Sequence, residues 1–85
     1  MSDGVSVMEV PDDDEWIATR RRAVGARLRE RRLHLNLTQE AVHLAAGVSR
    51  YTLQRAEAGE EVQLSTLIRV AHVLGSRLDL VDLDR

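Results

Sequence analysis

Every positive charge in this chain of 85 residues is an arginine, and the arginines are sorted along it. Arg20, Arg21, Arg22, Arg27, Arg29, Arg31, Arg32, Arg50 and Arg55 fall between residues 20 and 55, opposed only by Glu30 and Glu40, a formal +7. Residues 1–19 carry Asp3, Glu9, Asp12, Asp13, Asp14 and Glu15 with no arginine, a formal −6. Residues 56–85 hold three arginines against six acids, so the overall −2 hides a strongly basic middle. Such a block is the electrostatic footprint of polyanion binding. The planar guanidinium fork suits phosphates and guanine edges better than a point charge does. All-arginine usage also arises from genomic base composition alone.

Other chemistries find no constellation. His34, His43 and His72 lack metal-ligand spacing, and there is no cysteine to join them, so neither a metal site nor a disulfide is expected. Ser49, Ser65 and Ser76 lack the strand–turn–helix setting of a nucleophile elbow, and no glycine loop is built to cradle phosphates. The chain reads as a non-enzyme without cofactor. No apolar run approaches the roughly 20 residues that span a bilayer, and no basic-then-apolar leader pattern opens the sequence. The expectation is a cytoplasmic protein with no membrane partner.

The arginine block must be positioned by the stretch from Thr38 to Gly59. Val42, Leu44 and Ala45 form an apolar helical stripe in its first half; Leu53 and Ala56, three apart, form another in its second. Gly47 between them suits a left-handed turn, Val48 is an apolar plug, and Ser49 is a good N-cap. Gly59 ends the second helix as Gly47 ends the first. Two helices joined by such a turn make a helix-turn-helix, whose second helix lies in a DNA major groove.

This segment resembles the helix-turn-helix of the phage-repressor (Cro/XRE-type) family. The marks are Leu37-Thr38-Gln39, Gly47-Val48-Ser49, Thr52-Leu53 and Glu57-x-Gly59. Arg27-Leu28-Arg29 and Arg32 match before it, and Leu64-x-Thr66-Leu67, Ala71 and Leu74-Gly75 after it, so the likeness spans Val24 to Leu80. The sequence departs from the family pattern twice. His43 stands where alanine is usual and Ala56 where a larger aliphatic is, which reads as an exchange of size between neighbouring sites.

The remainder is read from its own pattern. Residues 1–11 form an acidic tail without helical or strand period, expected to be disordered. Asp12 to Glu15 open a helix that runs to about Leu35 with Trp16, Ile17, Val24, Leu28 and Leu35 near one face; either Gly25 or the Arg20–Arg22 triplet marks a break. Trp16 and Ile17 add a patch ahead of the core that packs on the domain itself or on a second subunit. Asn36 is a C′ residue. A further helix from Gln63 or Ser65 to Leu74 carries the stripe Leu64, Leu67, Ile68, Ala71 and Leu74, stopped by Gly75. From Arg77 the period changes to alternation, Leu78 and Leu80 against Arg77 and Asp79, as in a short strand. One strand needs a partner, and the same strand of a second copy is the economical one. A fifth short helix is the alternative.

The fold expected is therefore all-α, a lambda-repressor-like helix-turn-helix bundle of four to five helices with a short C-terminal strand. Its parts are a tail over 1–11, the DNA-binding domain over 12–75 with the motif at 38–59, and a dimerising segment over 76–85. The resemblance implies a sequence-specific double-stranded DNA-binding transcriptional regulator, a homodimeric repressor reading the major groove with helix 49–58. It assigns base reading to Arg50, Tyr51 and Arg55 and a phosphate contact to Gln39, with Ser49, Thr52 and Gln54 beside it; a helix N-terminus favours an anion at Gln39 in any case. It pairs Arg32 with Glu57 as a buried ion pair, and Leu78 and Leu80 would dimerise. A different reading is an antitoxin that neutralises a partner toxin and represses its own operon; a third is a protein-interaction module that keeps the fold without binding DNA.

Overall fold

The computed structural model describes residues 7–84, and four helices account for its regular structure. They are α1 (Glu15–His34), α2 (Gln39–Ala46), α3 (Arg50–Glu57) and α4 (Leu64–Val73). Residues 7–14 are exposed and form neither helix nor strand. The disorder expected of the tail falls partly on residues 1–6, which lie outside the described residues.

The helix α1 runs unbroken for 20 residues, about 30 Å at 1.5 Å per residue. The Asp13 carboxylate accepts the Glu15 amide at 3.0 Å, and Arg31, Arg32 and His34 occupy the last turn, so charge complements the helix dipole at both ends. The break expected at Gly25 or Arg20–Arg22 does not occur. Gly25 is buried at a crossing: a Cβ there would lie 2.5 Å from the Ala56 carbonyl oxygen and 2.6 Å from that of Glu57. The glycine lets the backbones of α1 and α3 touch. At Asn36 the chain turns left-handed (φ 59°), and the Leu37 amide reaches back to the Arg32 carbonyl at 3.0 Å.

Leu28, Val42, Ala46, Leu53, Ala56, Val70, Ala71 and Leu74 make the core. It is thin and aliphatic, and half-buried Val24, Leu37, Val48, Val62, Leu67, Val73 and Leu78 pack around it. Two expected stripes face the core only in part, Val42 from the first and Leu67, Ala71 and Leu74 from the second. On α2 the inward pair is Val42 and Ala46, one turn apart, while Leu44 (67 % exposed) and Ala45 point outward. Leu44 lies roughly 200° around the helix from Val42, so both cannot face α3 and α4. On α4 Thr66, Val70, Ala71 and Leu74 are buried, whereas Leu64 (65 % exposed) and Ile68 (51 %) face solvent. The buried arc is turned by roughly 80° from the expected one. An apolar face too wide for its neighbours leaves the choice of arc to packing.

The expected C-terminal strand is absent among the described residues. Residues 76–84 have no regular structure, Leu78 packs against the core, and the Leu80 amide bonds the Asp79 carboxylate at 2.8 Å. A lone segment has no neighbouring strand to complete a ladder. Trp16 and Ile17 line a mostly apolar groove of about 210 Å³ with Arg20, Val24, Ala56, Val62 and Leu67. The space beside small Ala56 therefore opens into this groove. His43 is spent elsewhere: its Nδ1 lies 3.1 Å from the Val48 carbonyl oxygen, across the turn after α2. Because a carbonyl only accepts, Nδ1 carries the proton. The expected exchange of size between His43 and Ala56 is replaced by a turn clasp and a groove.

Candidate nucleic-acid interface

The two short helices at the centre are held by local capping. Thr38 Oγ1 accepts the Ala41 amide at 3.0 Å at the start of α2. At its end Gly47 adopts φ 72° and the Val48 amide returns to the His43 carbonyl at 3.1 Å, which frees the chain to turn within three residues. Ser49 Oγ accepts the Thr52 amide at 3.0 Å and donates to Thr52 Oγ1 at 2.8 Å. Ser49 and Thr52 thus cap α3. Gly59 (φ 81°) ends α3 close to α1, where a Cβ would lie 2.6 Å from Arg22 Cα.

Arg50 and Tyr51 stand exposed in the first turn of α3, which contains no acid. The positive end of this helix dipole is therefore unneutralised by its own side chains. Among the described residues Arg50 has no hydrogen-bond or ion-pair partner, and Tyr51 is 68 % exposed. One turn on, Arg55 is engaged: its Nε–H meets Glu60 Oε1 at 3.1 Å, Nη2–H donates to the Glu61 carbonyl at 2.8 Å, and its guanidinium carbon sits 5.8 Å from the Tyr51 ring centre. The three expected base readers therefore differ: two are exposed and one is held.

A chain of polar contacts leads inward from Gln54 on α3. Gln54 Nε2 approaches Gln39 Oε1 at 3.4 Å, and Gln39 Nε2 donates to Glu57 Oε1 at 3.2 Å. Glu57 receives both arms of Arg32, Nε–H to Oε2 at 2.6 Å and Nη2–H to Oε1 at 3.1 Å. The third nitrogen of Arg32 donates to the Leu37 carbonyl at 3.0 Å. Both side chains are under a tenth exposed, 9 % and 6 %. The hydrogen bonds that Arg32 donates to Glu57 chiefly raise the pKa of Arg32; burial opposes this and the attraction of the Glu57 charge adds to it. The network joins α1, the start of α2, and α3, so it fixes Gln39 at one helix N-terminus relative to the face that bears Arg50.

The arginines, Arg69 beyond the basic block included, divide into those that bind carbonyls, those paired with surface acids and those left without such a partner among the described residues. Arg21 Nε donates to the Gly59 carbonyl at 3.0 Å, Arg31 Nε to the Leu74 carbonyl at 3.0 Å and Arg69 Nη1 to the Ala46 carbonyl at 3.4 Å. These three satisfy carbonyls at the C-terminal ends of α3, α4 and α2, where cations are favoured. Arg22 and Arg27 pair with Glu15 and Glu30 on the surface at 2.9 Å each. Arg20 and Arg29 are exposed, without such partners among the described residues. Sequence reasoning missed this division and the roles of Glu60 and Glu61. The isolated glycine inside a helical pattern was the signal for the Gly25 crossing.

Two capped helices at a glycine turn, with an exposed arginine and tyrosine opening the second, define a helix-turn-helix of the kind that enters a major groove. A family model described as helix-turn-helix matches residues 28–81. The chain belongs to that family, in its Cro/XRE-type branch, and is a DNA-binding transcriptional regulator of that type. No curated protein matches the sequence. No helix among the described residues is long and apolar enough to cross a membrane, and none of their histidines and acids cluster as a metal site would require.

Proposed function

We propose that the protein is a sequence-specific repressor that binds double-stranded DNA as a homodimer, with α3 in the major groove. The observation that carries this reading is the acid-free start of α3, with exposed Arg50 and Tyr51, on a helix whose far end the buried Arg32–Glu57 pair ties to α1. Arg50 takes guanine O6 and N7 with its fork, worth about 1–3 kcal/mol of discrimination. Tyr51 shares the reading of bases, with Arg55, held by the loop after α3, one turn behind it. Gln39, at the N-terminus of α2, binds a flanking phosphate with its amides, and Ser49, Thr52 and Gln54 line the same approach. Two copies present their α3 helices to successive major grooves about 34 Å apart on a near-palindromic operator.

Leu78 and Leu80 belong to the segment proposed to bring the copies together. Leu80, Val81 and Leu83 are 89 %, 77 % and 72 % exposed, an apolar strip between Asp79, Asp82 and Asp84 that a second chain would cover. The same strip favours the second reading, an antitoxin whose tail grips a toxin. Binding to the protein's own upstream DNA across a salt series, beside an Arg50→Ala/Arg55→Ala variant, tests the first reading. Tight, salt-steep, site-preferring binding lost by the variant is expected. Binding no better than to random DNA overturns it.

A further inference from the structure

Arg55 lies on the exposed side of α3, yet its guanidinium is taken up. Glu60 Oε1 holds Nε at 3.1 Å and the Glu61 carbonyl holds Nη2 at 2.8 Å, so the fork faces the loop after α3. Bound on that side, it sits 5.8 Å from the centre of the Tyr51 ring, one helical turn earlier. That is within the roughly 6 Å over which a cation is attracted to an aromatic ring. Tyr51 remains 68 % exposed, so the contact leaves most of the ring open.

We infer that Glu60 is a specificity-determining positioning residue: it holds Arg55 as a brace for Tyr51, which is thereby presented as a fixed apolar reader of a thymine methyl group. This rests on the DNA-reading role proposed for α3. A free arginine at position 55 would seek phosphates or guanines of any nearby sequence. A tethered one spends its donors inside the protein and stabilises one placement of the ring. A ring so placed offers an apolar surface, and in the major groove the apolar mark of a base pair is the 5-methyl of thymine. Glu60 also sets a negative charge beside the DNA-facing helix, which disfavours indiscriminate binding to a polyanion.

The test first selects preferred sites from random duplex DNA with the full chain. Deoxyuridine then replaces each thymine of the preferred site in turn, which removes only the methyl. Wild type is expected to lose affinity at one position, and Glu60→Ala to lose that discrimination by roughly two- to five-fold, the worth of an exposed cation–ring contact. Its affinity for random DNA should be equal or higher. Tyr51 is the only tyrosine, so its ring resonances report directly on release of the brace. If Glu60→Ala lowers the melting temperature, Glu60→Gln, which keeps an oxygen for the Arg55 Nε–H, carries the test and should retain part of the methyl preference. Full preference in Glu60→Ala, or a selected site indifferent to every methyl, overturns the inference and leaves the DNA-reading role standing. Failure of wild type to select any site overturns both.

Discussion

Arg32 grips Glu57 with two nitrogens on two oxygens, at 2.6 and 3.1 Å, across 25 residues of chain. The pair ties the first helix to the end of α3 in a domain with little core to spare. Deleting one partner leaves the other charged and buried, a cost of about 3–5 kcal/mol. Arg32→Ala is therefore expected to unfold the domain or nearly so, seen as lost cooperativity in urea and heat. An Arg32→Met/Glu57→Leu variant should be far closer to wild type, because no lone charge remains. Retained melting temperature with lost DNA affinity in Arg32→Ala would instead make Arg32 a phosphate contact.

Gly25→Ala sets two effects against each other. Alanine gains about 1 kcal/mol of helix propensity over glycine, but its Cβ would meet the Ala56 carbonyl oxygen at 2.5 Å. Backbone cannot yield as a flexible side chain does, so the clash wins and forces α1 and α3 apart. A net destabilisation of about 1–3 kcal/mol is expected in urea unfolding. A variant more stable than wild type would mean that the helices separate at little cost.

The outer faces of α2 and α4 and the inner face of α3 make opposite demands on similar residues. Leu44→Ser and Ile68→Ser should each change monomer stability by no more than about 0.5 kcal/mol, as exposed sites do. Leu53→Ala, fully buried, should cost about 2–5 kcal/mol. Denaturant midpoints at low protein concentration check both. A concentration-dependent loss in Ile68→Ser would place that face in a contact between copies.

Arginines of these different kinds should behave differently toward DNA. Arg20→Ala and Arg29→Ala, exposed on α1, should weaken binding about equally for all sequences and lower the salt slope by about one each where they meet a phosphate. Arg50→Ala should relax base preference at one position by about 1–3 kcal/mol. Arg31→Ala should leave base preference alone and lower stability, since the Leu74 carbonyl loses its partner. Salt-titrated binding and thermal melting separate the three outcomes.

Much of this architecture was written locally. Asn36, Gly47, Ser49, Gly59 and Gly75 mark helix ends because left-handed turns and N-caps involve atoms within about four residues of one another. The sorting of charge and the spacing of the helix-turn-helix marks are equally local, and they carry the family. Periodicity alone did not separate the two faces of α4 or show that Leu44 turns away from Val42, because burial depends on where α2, α3 and α4 meet. Gly25 looked like a break, and only the α3 backbone 2.5 Å from its absent Cβ makes it a crossing. The arginine block looked uniform; carbonyls 38 and 43 residues distant claim Arg21 and Arg31, and the α3–α4 loop claims Arg55. Caps obey the chain's own geometry, whereas burial and hydrogen-bond partners depend on distant segments, so tertiary structure alone decided which arginines remained free for DNA.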